Sequence, residues 1–574
     1  MNHAGCPLAL TILSLLILLP HAAGAGGVPH ELEIPPPGEL GPDVVLAAPE
    51  APLSPPDDPQ VGDSWVWWLF TWYPMPPHFE EHVCTVRGMS ERGYVVVKDE
   101  EWLVSIDQDD VDAILEHWEN SSPGPYPDMG IYEIDSLYFG VPPDEMDDDP
   151  RIYLMWYDFE VSADGFFFWF DMYPDGTFPD YHSNECEVLY LNTASSGGPS
   201  GDYMHAVIAH EFEHMIHWKY DDDESAWVDE GMAELAMWLY GHPDNISAFN
   251  TNPDNSLVIW DGEWADYIQT YLWSLYFYER YGGLPSVYAV VHEPLNSMAG
   301  YDSVLDFFGY TEDTGDMFLD WCVANFLDDT TIADGRYGYA GEDLPPFFPA
   351  ASFSTYPVSE TRTVNGWAAD YYRFQDIGFE EMEISFDGND GNTFGVRAMV
   401  LHDSDPTEVL SMTIEEAGQT GSLVITGLSS PLDQVVLAVA SVSSGGGPDY
   451  QFSAGDALGI SRGGSPPEVT GRLSAFPNPF SNSVRIQFRT CGGGQAAPDL
   501  GVYDIHGRLV RTLSTESAGG NSAEAFWNGL TDSGEAASPG LYFAVVLGPS
   551  STAPLRILLI CGLSPALKGR GLLI

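Results

Sequence analysis

The sequence predicts an α+β domain followed by two all-β sandwiches. Between residues 60 and 345, short β-branched and aromatic runs alternate with helix-length amphipathic stretches. After Asp343 the helical period stops, LPPFFPA marks a boundary, and short strands with Gly, Asn and Asp turns fill 360–460. The Ser/Gly/Pro linker SRGGSPPE (461–468) then separates a last strand-rich unit, 471–560, from the tail 561–574.

The order along the chain supports each assignment. PLALTILSLLILLP (7–20) followed by HAAGAGG has the length and small-residue flank of a signal peptide, with 1–25 removed at Ala23-Gly24-Ala25. It carries no Lys or Arg before the apolar run and is too short to span a bilayer, so an exported chain with no transmembrane segment in its mature form is expected. Residues 26–59 are rich in Pro and acids and read as a linker or short pro-segment. SWVWWLFTW, GYVVVKDEEWLV, RIYLMWYDF (151–159) and EVLYLNT (187–193) read as strands. QDDVDAILEHWENS (108–121) reads as a helix, and further helices are expected over 228–240, 263–281 and about 315–327. GFFFWF (165–170) reads equally as a core strand or as an edge strand able to pair with an extended peptide. The period of a solenoid is absent.

The 19 basic and 87 acidic residues of the 574 give a net charge of −68. Such a surface repels nucleic acid and anionic lipid, which excludes both as partners. Hydrophobic residues at 44%, with 13% aromatics, are enough to build packed cores. Of six cysteines, Cys6 leaves with the signal and five widely spaced ones remain, with no CxxC; a bridge among Cys84, Cys186 and Cys322 stays open. The acid runs MDDDP (146–150) and YDDDES (220–225) offer oxygen ligands for Ca²⁺, but neither has EF-hand spacing and solvated loops are the ordinary reading.

The chemistry concentrates in VIAHEFEHMIHW (207–218). At about 100° per residue, His210, His214 and His217 fall on one stripe, with Ile208, Phe212, Met215 and Ile216 opposite. His205 falls on the core side and reads as structural. Imidazoles at i and i+4 suit one Zn²⁺. Glu211, rotated by about 100°, need not bind the ion and can instead hold a metal-bound water. Downstream, SAWVDEGMAELAMWLYG (225–241) opens a second helix in which Glu230 can complete a His₂Glu set, and Glu234, one turn on, can accept the other ring N–H of a zinc histidine. Glu234 as the third ligand is the rival assignment. His217 reads as a packed or solvated histidine, with substrate contact the alternative.

HEFEH followed by WVDEGMAEL resembles the gluzincin metallopeptidases, and is most similar to secreted bacterial members of the hyicolysin-like kind, over roughly residues 60–345. The resemblance implies a zincin-like fold, His210, His214 and Glu230 as zinc ligands, and Glu211 as general base. It also implies a Tyr or His donor to the oxyanion. Tyr267 is the first candidate for that role and Tyr271 the second, although aromatics at helical spacing are ordinarily core. Two departures stand out: Asp229 replaces the commoner Asn, and only fifteen residues (215–229) separate His214 from Glu230. The metzincin pattern fails, with His217 where its Gly would stand and Tyr220 where its third His would.

AFPNPFSNSVRIQFR (475–489), LGVYDIHGRLVRTL (500–513) and AFWNGLTDSGEAASPGLYFAVV (525–546) together resemble the FlgD-like Ig fold and the type A sorting domains of the type IX secretion system. That resemblance implies the type IX secretion machinery as a partner and a secreted or cell-surface bacterial location, though the tail 561–574 departs from the pattern. The expected protein is then a zincin-like α+β catalytic domain followed by two all-β, Ig-like sandwiches. It would act as a zinc metallopeptidase on protein or peptide substrates. The alternatives are an inactive protease-like surface or adhesion protein, and a zinc amidase acting on a non-peptide substrate.

Overall fold

The computed structural model describes residues 39–46, 51–457 apart from 148 and 444–446, and, with several internal gaps, 473–559. The signal run, most of the Pro-rich segment before residue 51, the 461–468 linker, the His506-Gly507 pair and the tail 561–574 lie outside the described residues. The chain forms two compact units that divide between Asp456 and Ala457.

The first unit starts with β1 (Ser64–Thr71), β2 (His78–Met89) and β3 (Gly93–Lys98), then α1 (Gln108–Glu119) and α2 (Ile131–Tyr138). Strands β4 (Ile152–Tyr157), β5 (Gly165–Phe167) and β6 (Val188–Asn192) follow. Together the strands make one sheet in the order β1-β2-β3-β4-β6-β5. β3, β4 and β6 run parallel, while β5 returns antiparallel along the outer edge of β6. The alternation along β4 explains why IYLMWY is buried throughout. Ile152, Leu154 and Trp156 enter the core beneath the helices, and Tyr153, Met155 and Tyr157 enter an aromatic core on the opposite face. Asp107 caps α1 with Asp110 in a reciprocal capping box.

Helices α3 (Asp202–Tyr220), α4 (Ala226–Tyr240), α5 (Trp264–Arg280), α6 (Leu284–Val291), α7 (Met298–Phe308) and α8 (Thr314–Leu327) complete the layer. The sequence reading missed α2, α6 and α7, which are short; α6 is entered through Gly283 and Pro285, residues that read as a loop. α3 is central and buried on all sides from Met204 to His217, the histidine stripe included. EEWLV was read as the end of a strand but lies in turns, with Leu103 at φ 63°.

Beyond α8 come β7 (Ala351–Phe353), β8 (Val358–Thr363), β9 (Ala368–Phe374), β10 (Glu381–Gly388), β11 (Phe394–Leu401), β12 (Glu408–Ser411), β13 (Ile414–Glu415), β14 (Thr420–Thr426), β15 (Gln434–Ser441) and β16 (Asp449–Asp456). They form sheets β13-β14-β10-β16-β8 and β12-β11-β15, with β7 paired to β9. The second sheet has two apolar faces. Phe394, Val396, Ala398 and Val400 of β11 fill the sandwich, while Met399, with Val436, Ala438 and Ala440 of β15, joins the helical core. Tyr371 of β9 donates to the Cys322 carbonyl of α8 at 2.7 Å. Gly395 admits Leu319 of α8 so closely that an added Cβ would lie 2.3 Å from its Cδ2. Gly395→Val is therefore expected to lower stability by about 1–3 kcal/mol through overpacking, read as a fall in the thermal midpoint of the full chain.

The second unit holds β17 (Ser474–Phe476), β18 (Val484–Arg489), β19 (Leu500–Tyr503), β20 (Leu509–Leu513), β21 (Glu516–Ser517), β22 (Ser522–Trp527), β23 (Gly540–Val546) and β24 (Leu555–Leu559). Two four-stranded sheets, β17-β18-β22-β21 and β20-β19-β23-β24, enclose Val484, Ile486 and Phe488 from alternate positions of β18 and the indole of Trp527. The whole molecule thus mixes helices with several β-sheets. Among the described residues no helix is long and apolar enough to cross a membrane, and Cys84, Cys186 and Cys322 are buried free thiols, so the bridge left open among these three is not formed.

Candidate metal centre

The site is built where α3 and α4 cross beneath the sheet. His210 and His214, one turn apart on α3, present their rings nearly perpendicular, with centroids 4.7 Å apart. Glu230 of α4 enters between them: its Oε2 lies 3.5 Å from His210 Nε2 and 3.9 Å from His214 Nε2. Bonds of about 2.0–2.2 Å in a tetrahedral set place ligand atoms about 3.3–3.6 Å apart, so this donor set fits a zinc ion with little adjustment. All three residues are buried. Charge this deeply buried is costly unless balanced, and a divalent cation would balance it.

The reverse sides of both rings face carboxylates. Glu234 Oε1 lies 3.6 Å from His210 Nδ1, and Asp229 Oδ1 lies 3.2 Å from His214 Nδ1. Each carboxylate can hold the Nδ1–H tautomer and leave Nε2 for the ion. Glu234 stands behind His210 and Glu230 in front of it, which separates the two glutamates that the sequence left as rivals. Because α4 begins at Ala226, Asp229 is in its first turn and Glu230 just beyond it, slightly deeper than the sequence placed it. Glu234→Gln is expected to weaken zinc binding by about 10–100-fold with the ligands intact, measured by competition with a chelating dye.

Asp229 was noted in the sequence only as a replacement for Asn. It is a shared acceptor, since its Oδ1 also lies 3.3 Å from His217 Nδ1, and Glu213 Oε1 lies 3.3 Å from the same nitrogen. His217 is thus a packed histidine in a buried network. Burial opposes its protonation, but Glu213 and Asp229 outweigh that and raise it to about 9. Burial likewise works against the Asp229 carboxylate, yet His214 and His217 hold it below the ordinary range.

Glu211 points away from the histidine stripe, toward the edge strand. An added Cβ on Gly165 of β5 would come within 2.7 Å of Glu211 Oε1 and 2.8 Å of its Cγ. Only glycine allows the strand to lie this close to the carboxylate. The approach is fixed by Tyr203 of α3, which donates to Asp164 Oδ2 at 2.7 Å, and by the Asn192 N–H, which donates to the Asp164 carbonyl at 2.8 Å.

Tyr267 is buried in the first turn of α5 and meets Trp260 edge-on at 4.7 Å. It lies one turn before Thr270, whose carbonyl would be 3.0 Å from a Cβ on Gly231, the neighbour of Glu230. Tyr271 turns elsewhere, donating to Glu342 Oε1 at 2.5 Å. Of the acid run 146–150, Asp149 is held by Arg151 at 3.0 Å and by the Tyr94 hydroxyl at 2.7 Å.

No protein-family model matches the chain, and no curated protein matches it. Among solved structures, the pre-peptidase C-terminal domain of a collagenase from Bacillus anthracis is 16% identical over 20% of this chain and 100% of that one, with a TM-score of 0.16. The adhesin domain of Epf from Streptococcus pyogenes is 11% identical over 36% of this chain and 77% of that one, with a TM-score of 0.12. A β-glucuronidase from Ruminococcus gnavus is 9% identical over 33% of this chain and 34% of that one, again at 0.12. None of these supports the gluzincin, hyicolysin or sorting-domain resemblance, and at such scores the likenesses carry no argument about activity.

Proposed function

We propose that the chain is a zinc-dependent metallopeptidase of gluzincin type, built on a zincin-like domain. The observation that carries this reading is the convergence of His210 Nε2, His214 Nε2 and Glu230 Oε2, with the Glu211 carboxylate one residue along α3 and against an edge strand. A zinc ion bound there supplies Lewis-acid polarisation of a carbonyl and acidifies a water molecule. Glu211 accepts the proton of the attacking water and returns it to the leaving amine. Among the described residues β5 pairs on one side only, so its other edge offers backbone groups to an extended peptide. Glu234 and Asp229 hold the two imidazoles in the tautomer the reaction needs. Tyr267 is the proposed donor to the oxyanion. In the same reading the signal-type run exports the chain, and the C-terminal sandwich addresses it to the type IX route.

The test is casein cleavage by the full chain, before and after removal of metal by 1,10-phenanthroline. Cleavage lost to the chelator and restored by zinc supports the reading; cleavage indifferent to the chelator rejects it. Within the same assay, Gly165→Ala is expected to cut kcat while zinc content stays unchanged, because the new methyl group displaces the Glu211 carboxylate and not the ligands.

A further inference from the structure

A second group of metal-binding side chains lies at the other end of α3. Single ligand atoms of His117, Asp202 and His205 lie within 4.8 Å of one another. His117 belongs to the last turn of α1, and Asp202 and His205 to the first turn of α3. His205 is five residues before His210, about 140° around the helix and more than one turn away, so this group faces a different part of the core.

The second observation concerns His205 itself. It is only 1% exposed, and neither ring nitrogen has a hydrogen-bond partner among the described residues. The ring stacked on it is another imidazole: the centroids of His117 and His205 lie 4.3 Å apart. A buried donor or acceptor left without a partner costs free energy, and a stacked pair of histidines repels if both are charged. Both difficulties vanish if the two rings share a cation. His117 Nδ1 lies 2.9 Å from the Tyr240 hydroxyl, and an Nδ1–H donated to that oxygen leaves Nε2 as the ligand atom. Burial and the nearby Asp202 carboxylate both push the Tyr240 phenol up, which keeps it neutral beside the site.

We propose that His117, Asp202 and His205 form a second divalent transition-metal site that ties the end of α1 to the start of α3. Two imidazoles and one carboxylate form a borderline donor set, suited to Zn²⁺ and unsuited to Ca²⁺ or Mg²⁺. Asp202 is exposed, so solvent reaches the ion and supplies the remaining ligand. Binding rotates the stacked rings until their nitrogens converge. The role is structural: the ion fixes the N-terminal turns of the helix that carries His210, Glu211 and His214. The proposal does not depend on the catalytic reading, because it shares no ligand with that site.

The experiment counts tightly bound zinc on the full chain, stripped of metal and reloaded in excess magnesium to occupy surface carboxylates. The parent is expected to hold two equivalents, Glu230→Ala one, and Asp202→Asn or His117→Gln one. Casein cleavage in the last two variants should remain. Asp202 lies on the surface, so its substitution does not disturb the core. In the Glu230→Ala background, added zinc should raise the unfolding temperature, and the further change Asp202→Asn should abolish that rise. A parent that loses its zinc to His117→Gln but not to Glu230→Ala would support this site and reject the catalytic one. Equal zinc content in parent, Asp202→Asn and His117→Gln would overturn the proposal.

Discussion

Glu211→Gln is expected to keep its zinc and to lose casein cleavage by about 10²–10⁴-fold in kcat. The amide has nearly the shape of the carboxylate and sits off the ligand stripe, so His210, His214 and Glu230 are untouched. What disappears is a base able to take a proton from water and deliver it to the leaving nitrogen. KM should change little, because the lost interaction belongs to the transition state. A variant that cleaves casein as well as the parent does would remove Glu211 from the mechanism. Steady-state kinetics beside zinc analysis on one sample separates loss of the base from loss of the metal.

Glu230→Ala should lose one equivalent of zinc and all detectable cleavage. Its Oε2 lies within 4 Å of both Nε2 atoms, 3.5 Å from His210 and 3.9 Å from His214. Removing a direct ligand should cost more than the 10–100-fold that loss of an outer hydrogen-bond partner costs. Glu234 cannot take over, since it stands behind His210 at Nδ1. The fold should survive, because α4 is anchored independently through Trp227, whose indole donates to Ser297 Oγ at 3.0 Å, and through the packing of Gly231 on α5. Circular dichroism of the variant provides that control.

Much of this arrangement is legible in the order of residues. A helix repeats every 3.6 residues, so HEFEH alone puts two imidazoles side by side and turns the intervening glutamate away. The position of Glu230 is legible for the same reason, as a carboxylate in the early turns of the next helix. The pairing of Asp229 with His214 is not, because it depends on the angle at which α3 and α4 cross. Gly165 gives no signal either: in a strand pattern a glycine reads as a bulge or a close approach, and its partner lies 46 residues on. The docking of the first sandwich on α8 was hidden in the same way, since a strand apolar on both faces looks like an ordinary buried strand until its second core is known.

His214 also belongs to a competing cluster. Glu213, His214 and Asp229 can gather on the Nδ1 side of the ring, opposite Glu230. Anomalous diffraction at the zinc edge from crystals of the full chain decides between the two sides. The account predicts a peak about 2.0–2.2 Å from His210 Nε2, His214 Nε2 and a Glu230 carboxylate oxygen. A peak bounded by Glu213, His214 Nδ1 and Asp229, or no peak at either place, would contradict it.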